Sequence, residues 1–93
     1  MIQSLRGREA ELLFNNRSSR RLPPQIQHRA HLKLKMLNSA TKLHDLNSLP
    51  SNRLQALTGE REGQHSIRVN SQWRICFVWH NGDAFEVEIV DYH

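Results

Sequence analysis

The stretch SIRVNSQWRICFVWHNGDAFEVEIV, residues 66–90, decides the fold. Ile67, Val69, Trp73, Ile75, Phe77, Phe85, Val87 and Ile89 occupy odd positions and are large and apolar. Between them stand Arg68, Arg74, Glu86 and Glu88. Period-2 alternation over three segments separated by Asn-Ser-Gln and Asn-Gly-Asp predicts an antiparallel meander with one apolar and one polar face. Parity then constrains the turns, because directly paired residues lie on one face. A two-residue Asn81-Gly82 turn pairs Phe77 with Glu86 and fails. A three-residue loop, Asn81 to Asp83, pairs Phe77 with Val87 and passes. The same argument makes Asn70 to Gln72 the preceding loop. It sets Arg68 directly across from Arg74, Arg74 across from Val90, and Tyr92 diagonal to Arg74.

Upstream the period changes. Leu54 and Leu57 flank a short strand, and Gly59 to Gly63 is a charged turn. Ile26, Ala30, Leu34 and Leu37 recur at helical spacing, with Pro23-Pro24 suited to a first turn, which predicts a helix from about Pro24 to Asn38. Asn38 or Ser39 is the expected cap of a further short helix holding Leu43 and Leu46 and ended by Pro50. Ala10, Leu13 and Phe14 place a first helix over Arg8 to Asn15, after a short strand from Ile2 to Leu5. The order is α+β, with two to three N-terminal helices packed on one face of a small, mainly antiparallel twisted sheet. Residues 1–93 are expected to form a single domain with a thin core.

The formal charge is +4, unevenly placed. Residues 1–35 hold eight Lys/Arg against two acids, +6, and residues 36–93 hold five against seven, −2. Such a field favours nucleic acid or an acidic partner. The single cysteine, Cys76, builds neither a disulfide framework nor a cysteine zinc site, and reads as a small apolar strand residue. His28 and His31 lie three apart on a helix without an evident third ligand, so no metal or other cofactor is expected. No signal-type apolar region and no run near membrane-spanning length is seen, which points to a cytoplasmic, non-membrane setting. P-loop, dinucleotide and nucleophile-elbow motifs are absent from the sequence.

Like charges directly opposite on a sheet repel, so Arg68 and Arg74 call for an acid or a bound anion. Glu88 is the nearest internal candidate in this register, and a surface Arg–Glu ladder would satisfy the pair. Alternatively the two guanidinium groups hold a phosphate. The terminal Asp91-Tyr92-His93 adds groups able to move protons beside them.

Three runs carry a family resemblance. They are Gly59-Glu60-Arg61-Glu62-Gly63, His65 to Asn70 and Gln72 to Phe77. With the opening Met1 to Ser4, the Leu13-Phe14 helix and the ending Val90-Asp91-Tyr92-His93, the chain resembles the HigB-type plasmid-maintenance killer proteins of the RelE superfamily. The resemblance implies a RelE-like fold and a toxin of a type II toxin–antitoxin pair. It implies a ribosome-dependent endoribonuclease that cuts mRNA in the decoding site, with a catalytically silent RNA- or ribosome-binding module as the alternative. The implied partner is a HigA-type helix-turn-helix antitoxin, through which alone operator DNA is reached. By the same resemblance Arg68 and Arg74 stabilise phosphate, and His93, Tyr92 and Asp91 serve catalysis with His93 as general base. Arg53, Arg61, Arg29, Lys33 and Lys35 are the expected RNA contacts, and Arg8, Arg17, Arg20 and Arg21 the expected antitoxin contacts. Several members carry a histidine and a lysine where this chain has Gln55 and Thr58, neither of which supplies a base or a positive charge.

Overall fold

The apolar stripe and the alternating strands find each other in the structure, a computed structural model that describes residues 1–92. Three helices, α1 (Arg8–Phe14), α2 (Pro24–Ser39) and α3 (Leu43–Asn47), precede four strands, β1 (Gln55–Ala56), β2 (Gln64–Arg68), β3 (Trp73–His80) and β4 (Asp83–Asp91). The strands form one antiparallel sheet in the order β1-β2-β3-β4. Ile26, Ala30, Leu34 and Leu37 of α2 and Leu13 of α1 pack on Ile67, Val69, Ile75, Phe77 and Val87. The α+β architecture is therefore as expected. Removing apolar area from water on that one face is what holds helices and sheet together.

The β2–β3 register agrees with parity, with Ile67 opposite Ile75 and Arg68 opposite Arg74. The β3–β4 hairpin corrects it. Asn81 (φ 50) and Gly82 (φ 82) make the two-residue turn that parity rejected, with His80 paired to Asp83 and Val78 to Phe85. The extra residue sits further along β4 as a β-bulge, where Glu86 (φ 53) and Val87 stand against the single Phe77 of β3. A bulge sets two residues against one, so it restores parity beyond itself. From Cys76–Glu88 through Arg74–Val90 the pairing is the expected one. Between turn and bulge the faces are exchanged. Ala84, not Phe85, is fully buried in the core, and Phe85 is only half-buried.

Ile2 to Leu5 is not a full strand. Two isolated parallel bridges, Ile2–Ala84 and Leu5–Val87, tie it along the edge of β4. The Ser4 hydroxyl accepts the N–H of bulged Glu86 at 2.8 Å. The expected cap of α3 is also corrected. Ser39 ends α2, and the Asn38 side chain instead accepts the N–H of Ile2 at 2.8 Å. Asp45 caps α3 by accepting the N–H groups of Thr41 (3.1 Å) and Lys42 (3.0 Å). These backbone bonds hold its carboxyl below the usual value. α3 ends at Asn47, before Pro50, which instead opens a 3₁₀ turn, Pro50–Asn52.

Candidate active site

The polar face of the sheet is less open than alternation suggests. Ser66 and Cys76 are fully buried, and Arg74 is only 7% exposed. Burial of a guanidinium is tolerated when its donors are used. Arg74 donates from Nε to the Ser66 hydroxyl at 2.7 Å, and from Nη2 to the carbonyls of Arg53 (2.7 Å) and Ser66 (3.3 Å). The Arg53 carbonyl is aimed by an unusual backbone. Arg53 closes the 3₁₀ turn at φ 44, a left-handed conformation that costs a non-glycine residue roughly 1–2 kcal/mol. The other edge, Nη1, has no partner among the described residues.

The Arg74 guanidinium carbon stands 5.5 Å from the centroid of the Tyr92 ring, within cation–π range. Burial lowers the Arg74 pKa and Tyr92 opposes that shift, while Arg68 and Arg53 add repulsion. Tyr92 is itself exposed, with its N–H bonded to the Gln72 carbonyl. Asp91 accepts from Gln72 Nε2 at 3.3 Å. The β2–β3 loop thus fixes the end of β4 beside Arg74. His93, expected as the general base, lies outside the described residues.

The surface ladder does not form. Glu88 takes Arg61 instead, at 2.7 Å, and Arg61 also donates to Gln64 at 3.1 Å. That bond to Glu88 raises the Arg61 pKa. None of the ion pairs among the described residues involves Arg53, Arg68 or Arg74. The register is the expected one, with Glu88 opposite Cys76, but Arg61 reaches Glu88 from the 3₁₀ turn Gly59–Arg61 and takes it. Burial pushes the Cys76 thiol up, as befits a packing residue rather than a nucleophile.

The remaining basic residues divide. Arg29 and Lys33 of α2 join Arg68, Ser51, Val69, Asn70 and Ser71 around an open groove of ≈ 560 Å³, whereas Lys35 is simply exposed. Arg8, Arg20 and Arg21 line a different groove with Gly7, Glu9, Leu12, Ser18 and Ser19, and Arg17 follows α1. Arg21 lies 3.8 Å from Glu9. His31 is a structural residue, its Nδ1 2.7 Å from the Leu13 carbonyl, and no metal-holding cluster occurs among the described residues. Gln55 is exposed on β1 opposite Ser66, and Thr58 precedes the 3₁₀ turn Gly59–Arg61. Sequence reasoning missed Ser66, the Arg53 carbonyl and Asn52. Ser66 was legible only as a small residue two before Arg68, and the other two act through loop geometry.

Chemically the cluster offers a fixed cation under a phenol, a second guanidinium across the strand, and a carboxylate at the strand end. Comparison with known proteins identifies the family. Residues 4–93 match the family model of RelE-like toxins of type II toxin–antitoxin systems, HigB. The chain is 37% identical over 93 residues to an endoribonuclease HigB of Proteus vulgaris, covering all of both chains. It is also 37% identical over 70 residues to toxin HigB-1 of Vibrio cholerae, covering 75% of this chain and 74% of that one.

Proposed function

The chain belongs to the HigB-like family of RelE-like toxins of type II toxin–antitoxin systems, and from that premise we propose that it is an endoribonuclease that cuts mRNA on the ribosome. The observation that carries this reading is Arg74, wired to Ser66 and Arg53 while its guanidinium lies against Tyr92 and directly across from Arg68. Cations with no carboxylate partner among the described residues suit a phosphodiester, and an exposed phenol beside them suits proton transfer.

In the proposed reaction the ribose 2′-oxygen attacks the adjacent phosphorus. Its proton passes to a base, for which His93 is our assignment, and the P–O5′ bond breaks. The departing 5′-oxygen takes a proton from the phenol of Tyr92, whose ring lies against the Arg74 guanidinium. Charge building on the non-bridging oxygens is met by Arg68 and by the Nη1 edge of Arg74. Asp91, held by Gln72, orients the terminal pair. The products carry a 2′,3′-cyclic phosphate and a 5′-hydroxyl.

A toxin of this type works against an antitoxin, and we assign that partner to the HigA-type helix-turn-helix class, with operator DNA reached through it. Arg8, Arg17, Arg20 and Arg21 are the proposed antitoxin contacts. Action at the ribosome places the toxin in the cytoplasm. The test is to express the chain and map mRNA 5′ ends on translating ribosomes. New 5′-hydroxyl ends within codons at the decoding site are expected. Growth arrest without new ends would overturn the nuclease reading and leave a silent ribosome binder.

A further inference from the structure

We propose that the groove between α2 and the β2–β3 loop is a second phosphate subsite, which holds the substrate RNA strand next to the phosphodiester being cut. The inference rests on the nuclease reading and adds to it where the strand continues beyond the active site.

Three cations converge there: Arg29, Lys33 and Arg68, with Ser51, Asn70 and Ser71 and no acid among the lining residues. None of the three takes part in an ion pair among the described residues. Two are held in place by the protein. Arg29 donates from Nη1 to the Val69 carbonyl at 3.2 Å. Lys33 donates to the side-chain oxygen of Asn52, which is fully buried and itself donates to the Leu46 carbonyl at 2.9 Å. A buried amide that positions a lysine beside an arginine works against the repulsion between them. Burial and Arg29 together lower the Lys33 pKa, so a bound anion would relieve a cost already present in the fold.

The ligand class follows from continuity. Arg68 lines the groove and is paired directly with Arg74, so groove and active site share a residue. An anion that fills both must carry repeated negative charges along a flexible chain. A single RNA strand, with one phosphate per nucleotide and exposed sugar oxygens for Ser51, Asn70 and Ser71, meets that requirement.

The test measures binding of a fluorescent single-stranded RNA, 2′-O-methylated throughout to block cleavage, as salt is varied. Each phosphate contact on a single strand contributes about 0.7 to the slope of log affinity against log salt. For Arg29→Gln with Lys33→Gln, which keep donors toward Val69 and Asn52, the slope is expected to flatten by about 1.4. Affinity is expected to fall by roughly tenfold at low salt. Lys33→Arg retains the charge and should retain the slope. It also guards against a fold defect, together with the thermal midpoint of each variant. An unchanged slope in a folded Gln variant would overturn the subsite. So would a loss confined to ribosome association, which would assign the groove to ribosomal RNA instead. Cleavage assays run in parallel separate the two ideas: no cleavage by the wild type with a flattened slope sinks the nuclease reading alone, whereas cleavage with an unchanged slope sinks the subsite alone.

Discussion

Two arginine-rich regions of this molecule carry the same charge and are built differently. Around α1, Arg8, Arg17, Arg20 and Arg21 stand exposed, and Arg21 faces Glu9 across 3.8 Å. At the open end of the meander, Arg74 is buried, bonded through two of its nitrogens to Ser66 and Arg53, and set against Tyr92. Exposed cations are hydrated and screened, so they steer encounters and contribute little to chemistry. A desolvated, immobile cation acts at full strength on whatever is placed beside it. Net charge points to the first region, while the second is where we propose that the bond is broken.

The largest expected effect tests that contrast. Arg74→Ala should lower kcat about 10³-fold in ribosome-bound cleavage, as expected for loss of a fixed transition-state donor. It should also lower stability by about 1–3 kcal/mol, because the Ser66 hydroxyl and two carbonyls lose their partner, readable as a drop in Tm. Arg74→Lys, a point charge without the fork, should recover only part of either loss. If Arg74→Ala folds and cleaves as the wild type does, the buried arginine is a structural strut and the contrast collapses.

Tyr92→Phe keeps the ring against Arg74 and removes the proton. Its kcat should fall about 10²-fold with little change in KM. A fall in affinity with kcat intact would instead make Tyr92 a base-stacking residue. Arg68→Gln should lower kcat/KM about tenfold, since a half-buried phosphate contact is worth one charged hydrogen bond.

Much of this was legible beforehand, and the reasons differ by element. The α2 stripe and the Arg68–Arg74 pairing follow from periodicities that burial enforces, so they could be read directly. The hairpin turn could not. Parity demanded one extra residue and was right, but it could not say whether that residue belongs in the turn or in the strand. Asn81-Gly82 favours the tight turn, and Glu86, held by Ser4, took the bulge. The partner of Glu88 was misassigned for a related reason. Arg61 arrives from a loop whose path no alternation reports. Ser66 and the Arg53 carbonyl, which make Arg74 a fixed charge, are invisible to pattern because one is a small residue and the other a backbone atom.

Smaller effects sharpen the comparison. Gly82→Ala places a Cβ 3.0 Å from the Thr41 carbonyl at φ +82. It should cost about 1–2 kcal/mol, seen as a lower Tm, while KM for RNA stays unchanged. A shift in KM would mean that the hairpin turn communicates with the site through the bulge. The smallest effect belongs to the helical region. Replacing Arg17, Arg20 and Arg21 with Gln should change cleavage by less than about twofold. The same replacements should make antitoxin binding weaker and less dependent on salt. A cleavage defect as large as that of Arg68→Gln would erase the distinction drawn here.

The side-chain Nε–H resonances of the arginines, followed by NMR as a 2′-O-methylated single-stranded RNA is added, report most directly on which guanidinium groups meet phosphate. The signals of Arg68 and Arg74 should move together, with those of Arg17, Arg20 and Arg21 staying in place. Movement of the helical set with Arg68 and Arg74 unmoved would contradict the assignment of the open end of the meander as the place where RNA is held and cut.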